Sequence, residues 1–218
     1  MNISSFGHSC FKLTCKFEGK ELVIITDPYD KSIGLRVPKM SADIVTVSHD
    51  HKDHSNSAAV SGNLENIPFV ITQPGEYEIK KVFITGFNSW HDNEEGAKRG
   101  SNIIYRYDVE GMTVAHLGDL GCQLTEEQLD QLGDVDVLFI PVGGTYTLDA
   151  AGAAKVVREI DPRIVIPMHY REENLNYDLD SVNAFRKEMG GAAETEKKIK
   201  LSKKALPVEE IKIIILEK

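Results

Sequence analysis

Ser48-His49-Asp50-His51-Lys52-Asp53-His54 is the stretch from which the rest of the chain is read. Three histidines and Asp53 so close together serve no packing need. Imidazole and carboxylate are the usual ligands of borderline divalent metals such as zinc, manganese and iron. Just upstream, Asp43-Ile44-Val45-Thr46-Val47 is a short β-branched apolar run, the pattern of a buried strand. The cluster therefore falls where a strand gives out, at the carboxyl edge of a sheet, where open α/β sheets build ligand sites. His49 and His51 are two residues apart, so an extended backbone turns both imidazoles to one side. Asp53 and His54 follow after one further residue, where a turn offers a second pair of ligands to a second ion. A solvated loop gathering these residues by chance is a weak alternative when the chain has only 7 histidines in 218 residues.

Bulk properties narrow the class. The length of 218 residues suits one substantial core, and residues 1–218 are read as a single domain. Composition is 41% hydrophobic and 27% charged, which fits a globular chain and argues against disorder. Net charge is -9, a poor electrostatic host for a nucleic-acid backbone or an anionic membrane, so neither is expected as a partner. A small anionic substrate stays open, because two divalent ions make their own site locally positive. Residues 1–8 lack a basic and then apolar leader pattern, and no apolar run reaches membrane-spanning length. Cys10, Cys15 and Cys122 are few and odd in number, which suits reduced thiols in a cytoplasmic protein. Self-association is compatible with all of this.

Along the chain, Phe11, Leu13, Cys15 and Phe17 alternate with polar residues as a half-exposed strand. Leu22-Val23-Ile24-Ile25 reads as a more buried one, ended by Asp27-Pro28. Residues 55–66 read as a short helix or loop. Strands are expected over residues 68–72 and 82–86, around a turn at residues 73–78. The polar stretch from Asn93 to Gly100 suits a surface loop over a site. Residues 103–109 and 112–117 read as a hairpin through Glu110-Gly111. Thr125-Glu126-Glu127-Gln128 is a capping-box pattern and Gly133 a helix stop. A strand over 136–141, an amphipathic helix over 148–160 and a strand over 164–168 make a βαβ unit with parallel strands. Gly143-Gly144 reads as a tight turn in preference to an anion-binding backbone. Residues 178–200 read as a charged helix-and-loop region whose lysines are a solvated face. Residues 210–216 close the chain as a strand.

The pattern H-x-H-x-D-H, at His49, His51, Asp53 and His54, resembles the signature of the metallo-β-lactamase fold superfamily. The resemblance implies an α/β fold, the four-layer αβ/βα sandwich, and further ligands in order. His91, Asp119 in the Gly118-Asp119 pair, and His169 match those positions. It implies one ion on His49, His51 and His91, a second on Asp53, His54 and His169, and Asp119 bridging them. Zinc is the first expectation for both ions, with manganese and iron as the other candidates. Gly118 removes a side chain where the backbone must come close. His116 has the wrong strand parity to join Asp119 and is read as core. Cys122 is read as a plain thiol, since Asp119 already fills the ligand slot.

Gly7-His8-Ser9, Thr26-Asp27-Pro28, Thr147-Leu148-Asp149-Ala150 and Ile166-Pro167-Met168-His169-Tyr170 look like one branch of that superfamily. It holds the ascorbate-6-phosphate lactonase-like and N-acyl phosphatidylethanolamine phospholipase D-like proteins. This makes His8, near the metal mouth, and Tyr170 the substrate-side candidates, although His8 fits a structural turn equally well. A glutamate is usual in the di-iron oxygen-reducing members, so His51 argues against that group. The function implied is hydrolysis of a small ester, lactone or phosphodiester by a water that two cations activate to hydroxide, with Asp53 and Asp119 catalytic. The alternatives are a nucleic-acid phosphodiesterase and a non-catalytic metal-binding module of the same fold.

Overall fold

Alternation builds the first sheet. In the computed structural model, which describes residues 1–63 and 67–218, strands β1 (Asn2–Gly7) and β2 (Cys10–Phe17) form a hairpin. β3 (Lys20–Thr26) adds antiparallel to β2. Phe11, Leu13 and Cys15 of β2 are buried while Lys12, Thr14 and Lys16 face outward, as period two requires. A small parallel pair, β4 (Met40–Ala42) and β6 (Val60–Gly62), lies apart. Between them in sequence, β5 (Ile44–Thr46) is buried on both faces, and it runs parallel to β3 and to β7 (Phe69–Ile71). Of the stretch 55–66, residues 57–59 form a 3-10 turn, and residues 64–66 lie outside the described residues.

The second sheet begins with β8 (Gly75–Ile79), β9 (Val82–Trp90), β10 (Ser101–Val109) and β11 (Met112–His116), an antiparallel meander. Here the expected turn at residues 73–78 is corrected. Pro74-Gly75 does bend the chain from one sheet to the other, but Tyr77 and Ile79 alternate with Glu76 and Glu78 and form an edge strand against the core. The reversal sits instead at Lys80 and Lys81, both in the left-handed region at φ 51 and 61. After helix α1 (Glu126–Leu132), opened by the Thr125–Gln128 capping box, come β12 (Val137–Pro141), helix α2 (Ala150–Ile160) and β13 (Ile164–Met168). β11, β12 and β13 are parallel, so the βαβ expectation holds.

Helix α3 (Val182–Glu188) precedes three short strands, β14 (Glu194–Glu196), β15 (Lys198–Lys200) and β16 (Lys212–Leu216). Read as helix and loop, residues 194–200 prove to be edge strands. β15 joins β1 in the first sheet while β14 joins β16 in the second. Main-chain pairing recruits them, because their side chains are almost all exposed and carry no apolar pattern. The sheets thus run β15-β1-β2-β3-β5-β7 and β14-β16-β13-β12-β11-β10-β9-β8.

The two sheets seal a common core. Ile3, Phe11, Leu13, Ile24 and Ile44 from the first meet Tyr105, Tyr107, Val114, Phe139 and Ile166 from the second. Phe11 and Phe139 rings lie 4.4 Å apart. The Tyr105 hydroxyl donates across the gap to Val47 O at 2.9 Å. The outer face of the eight-stranded sheet is covered by the helices, through Ala153, Ala154, Val156, Val157, Ile160 and Phe185. The opposite outer face is covered by an irregular layer holding Tyr29, Ile33, Leu35 and Met40. Helix, sheet, sheet and outer layer give the α/β sandwich expected. Among the described residues, no helix is long and apolar enough to cross a membrane.

Phe139 is fully buried between the sheets. Phe139→Ala should cost about 3–5 kcal/mol of stability, read by urea unfolding, and a loss near zero would show that this contact does not hold the sheets together.

Candidate metal centre

β1, β3 and β5 run in one direction, as do β9, β11 and β13, and all six end at a common edge of the sandwich. Beyond those ends stand His8, Asp27, the 49–54 stretch, His91, Asp119 and His169. His8, Asp27 and His169 adopt left-handed backbone at φ 55, 39 and 52. A non-glycine residue held there costs on the order of 1–3 kcal/mol and persists only when its surroundings impose it. Three such residues converge on one site.

Asp27 organises the first ligands. Its carboxylate accepts from Ser48 N at 2.8 Å, Ser48 Oγ at 2.6 Å and His54 Nδ1 at 2.8 Å. Ser48 Oγ, having given its proton to Asp27, accepts from His49 Nδ1 at 2.9 Å. Both imidazoles therefore carry their proton on Nδ1 and turn a bare Nε2 lone pair inward. His49 Nε2, His54 Nε2 and Asp119 Oδ1 are buried and lack any hydrogen-bond partner among the described residues. Buried polar atoms left like this are costly unless something coordinates them. A divalent cation fits that set.

Asp119 is the hub. Its Oδ2 lies 3.0 Å from His169 Nε2, 3.2 Å from His54 Nε2, 3.3 Å from His91 Nε2 and 3.8 Å from His49 Nε2. Its backbone N–H donates to Asn102 Oδ1 at 2.9 Å, and the Asn102 amide donates onward to Ser89 Oγ and Leu117 O. Gly118, at φ +55, leaves no room for a side chain, since a Cβ would stand 2.2 Å from Asn102 Oδ1. On one side of Asp119, ligand atoms of His49, His51 and His91 lie within 4.8 Å of one another. On the other, His8, Asp53, His54 and His169 do the same.

Electrostatics suit the same purpose. Burial, reinforced by the neighbouring His54, lowers the His49 pKa to about 3. Burial, and next to it His169, lowers His8 to about 4. Both imidazoles are thus neutral at neutral pH, the state a ligand requires. Burial pushes Asp53 and Asp119 up, but the histidines beside them outweigh it and hold both well below the carboxylate range. His54 is the exception. Burial works to lower it, yet the Asp119 and Asp53 carboxylates hold it well above the histidine range. The centre demands positive charge at this point, and a metal dication accepting the imidazole lone pairs would supply it.

All seven residues read as ligands, His49, His51, Asp53, His54, His91, Asp119 and His169, are brought together. His8 is with them, but not at the mouth. It is buried, with Nε2 3.2 Å from Asp53 Oδ2 and its ring 4.2 Å from that of His169. Tyr170 is displaced from the expected place. It packs with the cluster beneath the helices, because the turn at His169 sends the next side chain away. Tyr177 takes the aromatic position beside the ligands. With Tyr146 and Arg99 it lines a cavity of about 420 Å³ whose floor includes Asp53, His91, Asp119 and His169. His116 is core, with Nε2 donating to Ser9 O at 3.1 Å and Nδ1 accepting from Gly118 N at 3.2 Å. Cys122 stands outside the ligand groups, its thiol toward Trp90 O at 3.8 Å. Gly143-Gly144 is a tight turn: Gly144 N–H is committed to Leu148 O at 3.1 Å.

Sequence reading gave no site role to Asp27, Ser48 or Asn102. Asp27 carried a signal, an acidic residue capping a buried apolar strand. Asn102 gave none. Asp92 was also passed over, although it shapes the loop that follows His91. Its carboxylate accepts the backbone N–H groups of Glu94, Gly96, Lys98 and Arg99 at 2.8–2.9 Å. Burial pushes its pKa up, but those four donors prevail and lower it to about 2.

Asp27→Asn keeps the shape but loses an acceptor, so His54 and His49 are no longer both fixed. Metal affinity should fall about 10- to 100-fold, the usual cost of removing such an outer partner. Competition against a chromophoric chelator reads this, and unchanged affinity would remove Asp27 from that role.

The Beta-lactamase superfamily domain matches residues 2–169 of the chain. A UPF0173 metal-dependent hydrolase of Thermoplasma acidophilum is 30% identical over 195 residues, which cover 78% of this chain and 83% of that protein. The UPF0173 metal-dependent hydrolase of Carboxydothermus hydrogenoformans is 29% identical over 195 residues, with 78% and 84% covered. Among solved structures, one from Thermotoga maritima, described as a candidate Zn-dependent hydrolase of the metallo-beta-lactamase superfamily, superposes with a TM-score of 0.78. It is 35% identical, and 99% of each chain is covered. An isothiocyanate hydrolase from Delia radicum gut bacteria, 15% identical with a TM-score of 0.62 over 86% of this chain and 90% of its own, shares the fold. With its ligand-rich strand edge, the chain belongs to the beta-lactamase superfamily, among the UPF0173 metal-dependent hydrolases.

Proposed function

We propose that this metal-dependent hydrolase works with two divalent ions, zinc first among the candidates, and cleaves a small ester, lactone or phosphodiester. The observation that carries the reading is Asp119 Oδ2, which stands 3.0–3.3 Å from His169, His54 and His91 at once. One carboxylate facing two histidine groups suits a bridge. His49, His51 and His91 would hold one ion, Asp53, His54 and His169 the other. Bound there, the ions supply Lewis acidity and lower the pKa of a water towards neutrality.

The chain's own residues do the rest. Asp53 faces both the ligand cluster and the cavity, the position needed to take a proton from the attacking water and return it to the leaving group. Neutral His8 donates from Nε2 to Asp53 Oδ2 at 3.2 Å and fixes its orientation. Tyr177 and Tyr146, whose rings lie 5.9 Å apart, give one cavity wall an apolar surface. The cavity of about 420 Å³ suits a small substrate. Lactone chemistry is favoured by the His8 and Asp27 turns, which carry the likeness to the lactonase-like branch. Residues 1–218 are inferred to make one catalytic domain, a reading supported by β16 lying beside β13 in the same sheet. Unpaired Cys10, Cys15 and Cys122 suit a reducing, cytoplasmic setting.

Protein purified without added metal should carry about two ions per chain and hydrolyse lactone, ester or bis(nitrophenyl) phosphate probes, with turnover lost on chelation and restored by zinc or manganese. One ion at full activity would sink the dinuclear reading, and a strong preference for single-stranded oligonucleotides would replace the small substrate. Asp53→Ala and His51→Ala should each lose metal, and Asp53→Ala should lower kcat/KM about 10²- to 10⁴-fold. Full activity in either variant would overturn the assignment.

A further inference from the structure

The 92–100 loop brings Arg99 to the ligand cluster. Asp92 follows His91 directly, and by accepting the backbone N–H groups of Lys98 and Arg99 at 2.9 and 2.8 Å it ties that end of the loop back beside the metal site. Arg99 then stands between two cavities. One is the cavity of about 420 Å³ over Asp53, Asp119 and His169; the other, of about 600 Å³, runs past His49 and His51 toward Gln73 and Asn88.

Arg99 is half-buried, yet no carboxylate lies within ion-pair distance of it among the described residues. Its one side-chain hydrogen bond among the described residues, from Nη2 to Thr145 O at 3.2 Å, leaves most of its five N–H donors uncommitted. The guanidinium is held in place by the Tyr146 ring, 5.5 Å from centroid to Cζ. In a chain of net charge -9, with 34 acidic residues available, a half-buried arginine without an acidic partner is conspicuous. Lys98, its neighbour, is by contrast paired with Glu94. A planar fork, held over the Tyr146 ring and lining a cavity beside the ligand cluster, is the group that reads a carboxylate or phosphate bidentately.

We infer that Arg99 is a specificity-determining residue, and that the substrate carries an anionic group, carboxylate or phosphate, distal to the bond that is cleaved. Arg99 engages that group while the scissile bond lies over the Asp53–Asp119 floor. The inference rests on the hydrolase reading for its kinetic arm only.

Two measurements on the metal-loaded enzyme test it. The first compares kcat/KM for the mono-nitrophenyl ester of glutarate with that for nitrophenyl butyrate, which share bond and leaving group and differ in the distal charge. Wild type should favour the charged ester by about tenfold or more, the worth of one charge-assisted contact. Arg99→Gln should collapse that ratio toward one with metal content unchanged, and Arg99→Lys should keep part of it. A wild-type ratio near one, or a ratio unmoved in Arg99→Gln, overturns the inference. The second arm needs no turnover: calorimetry of glutarate, phosphonobutyrate and butyrate. Wild type should bind one of the two dianions about tenfold tighter than butyrate, and the tighter names the group; Arg99→Gln should level all three. Equal binding by wild type overturns the inference. If neither ester is hydrolysed but the binding difference and its loss are seen, the ester reading fails and the anion site stands.

Discussion

Buried negative charge is the constraint on which this molecule turns. Asp27, Asp53 and Asp119 are all withdrawn from water, and all three face His54 within 3.5 Å. Carboxylates this close cannot stay ionised in a low-dielectric interior unless positive charge sits among them. The sequence answers with His8 and His49 held neutral around His54, and a divalent cation bound there would balance the arrangement. From that follow the inward Nε2 atoms of His49 and His54, the asparagine that steadies Asp119, and the glycine that lets Asp119 and Ser48 approach.

The fold carries the cost of gathering these groups. Each residue of the ligand cluster sits one to eight residues past the end of a strand, so the rigid part of the sandwich sets its position and the turn that follows sets its direction. The left-handed conformations of His8, Asp27 and His169 are the local expense. The compensation lies below, where Phe11, Phe139, Tyr105 and Tyr107 close the gap between the sheets.

Much of this was legible in the sequence because its signals are local. The run Ile44-Val45-Thr46 followed by H-x-H-x-D-H gives strand and ligands in one stretch, and the capping box at Thr125 and the βαβ unit around α2 are equally self-contained. What escaped depends on distant partners. Asp27 acts through Ser48 and His54, Asn102 through Asp119, and the neighbours mark only Asp27, as an acidic residue ending an apolar strand, without naming its partners. β14 and β15 exist because sheet edges were free to receive them, and β8 because Tyr77 and Ile79 found a core to face. Tyr170 is marked by the branch motif it shares with His169, but the left-handed His169 reverses the direction in which the next side chain leaves. Tyr177, seven residues later, reaches the place instead.

The pairing of β1 with β15 bears on how the molecule comes into being. Asn2 lies against Lys200, and the amino terminus bonds to Leu201 O, so the first strand is completed by one of the last. Such separation makes closure of the first sheet a late and slow event in folding. Every residue of the ligand cluster, His49 to His169, has by then left the ribosome. The ligand cluster can therefore be gathered while the edge of β1 is still bare, and an exposed strand edge is where partly folded chains adhere to one another. A cation captured at that stage would draw both sheets together before the final strands arrive, so that the centre for chemistry also serves as a clamp during assembly.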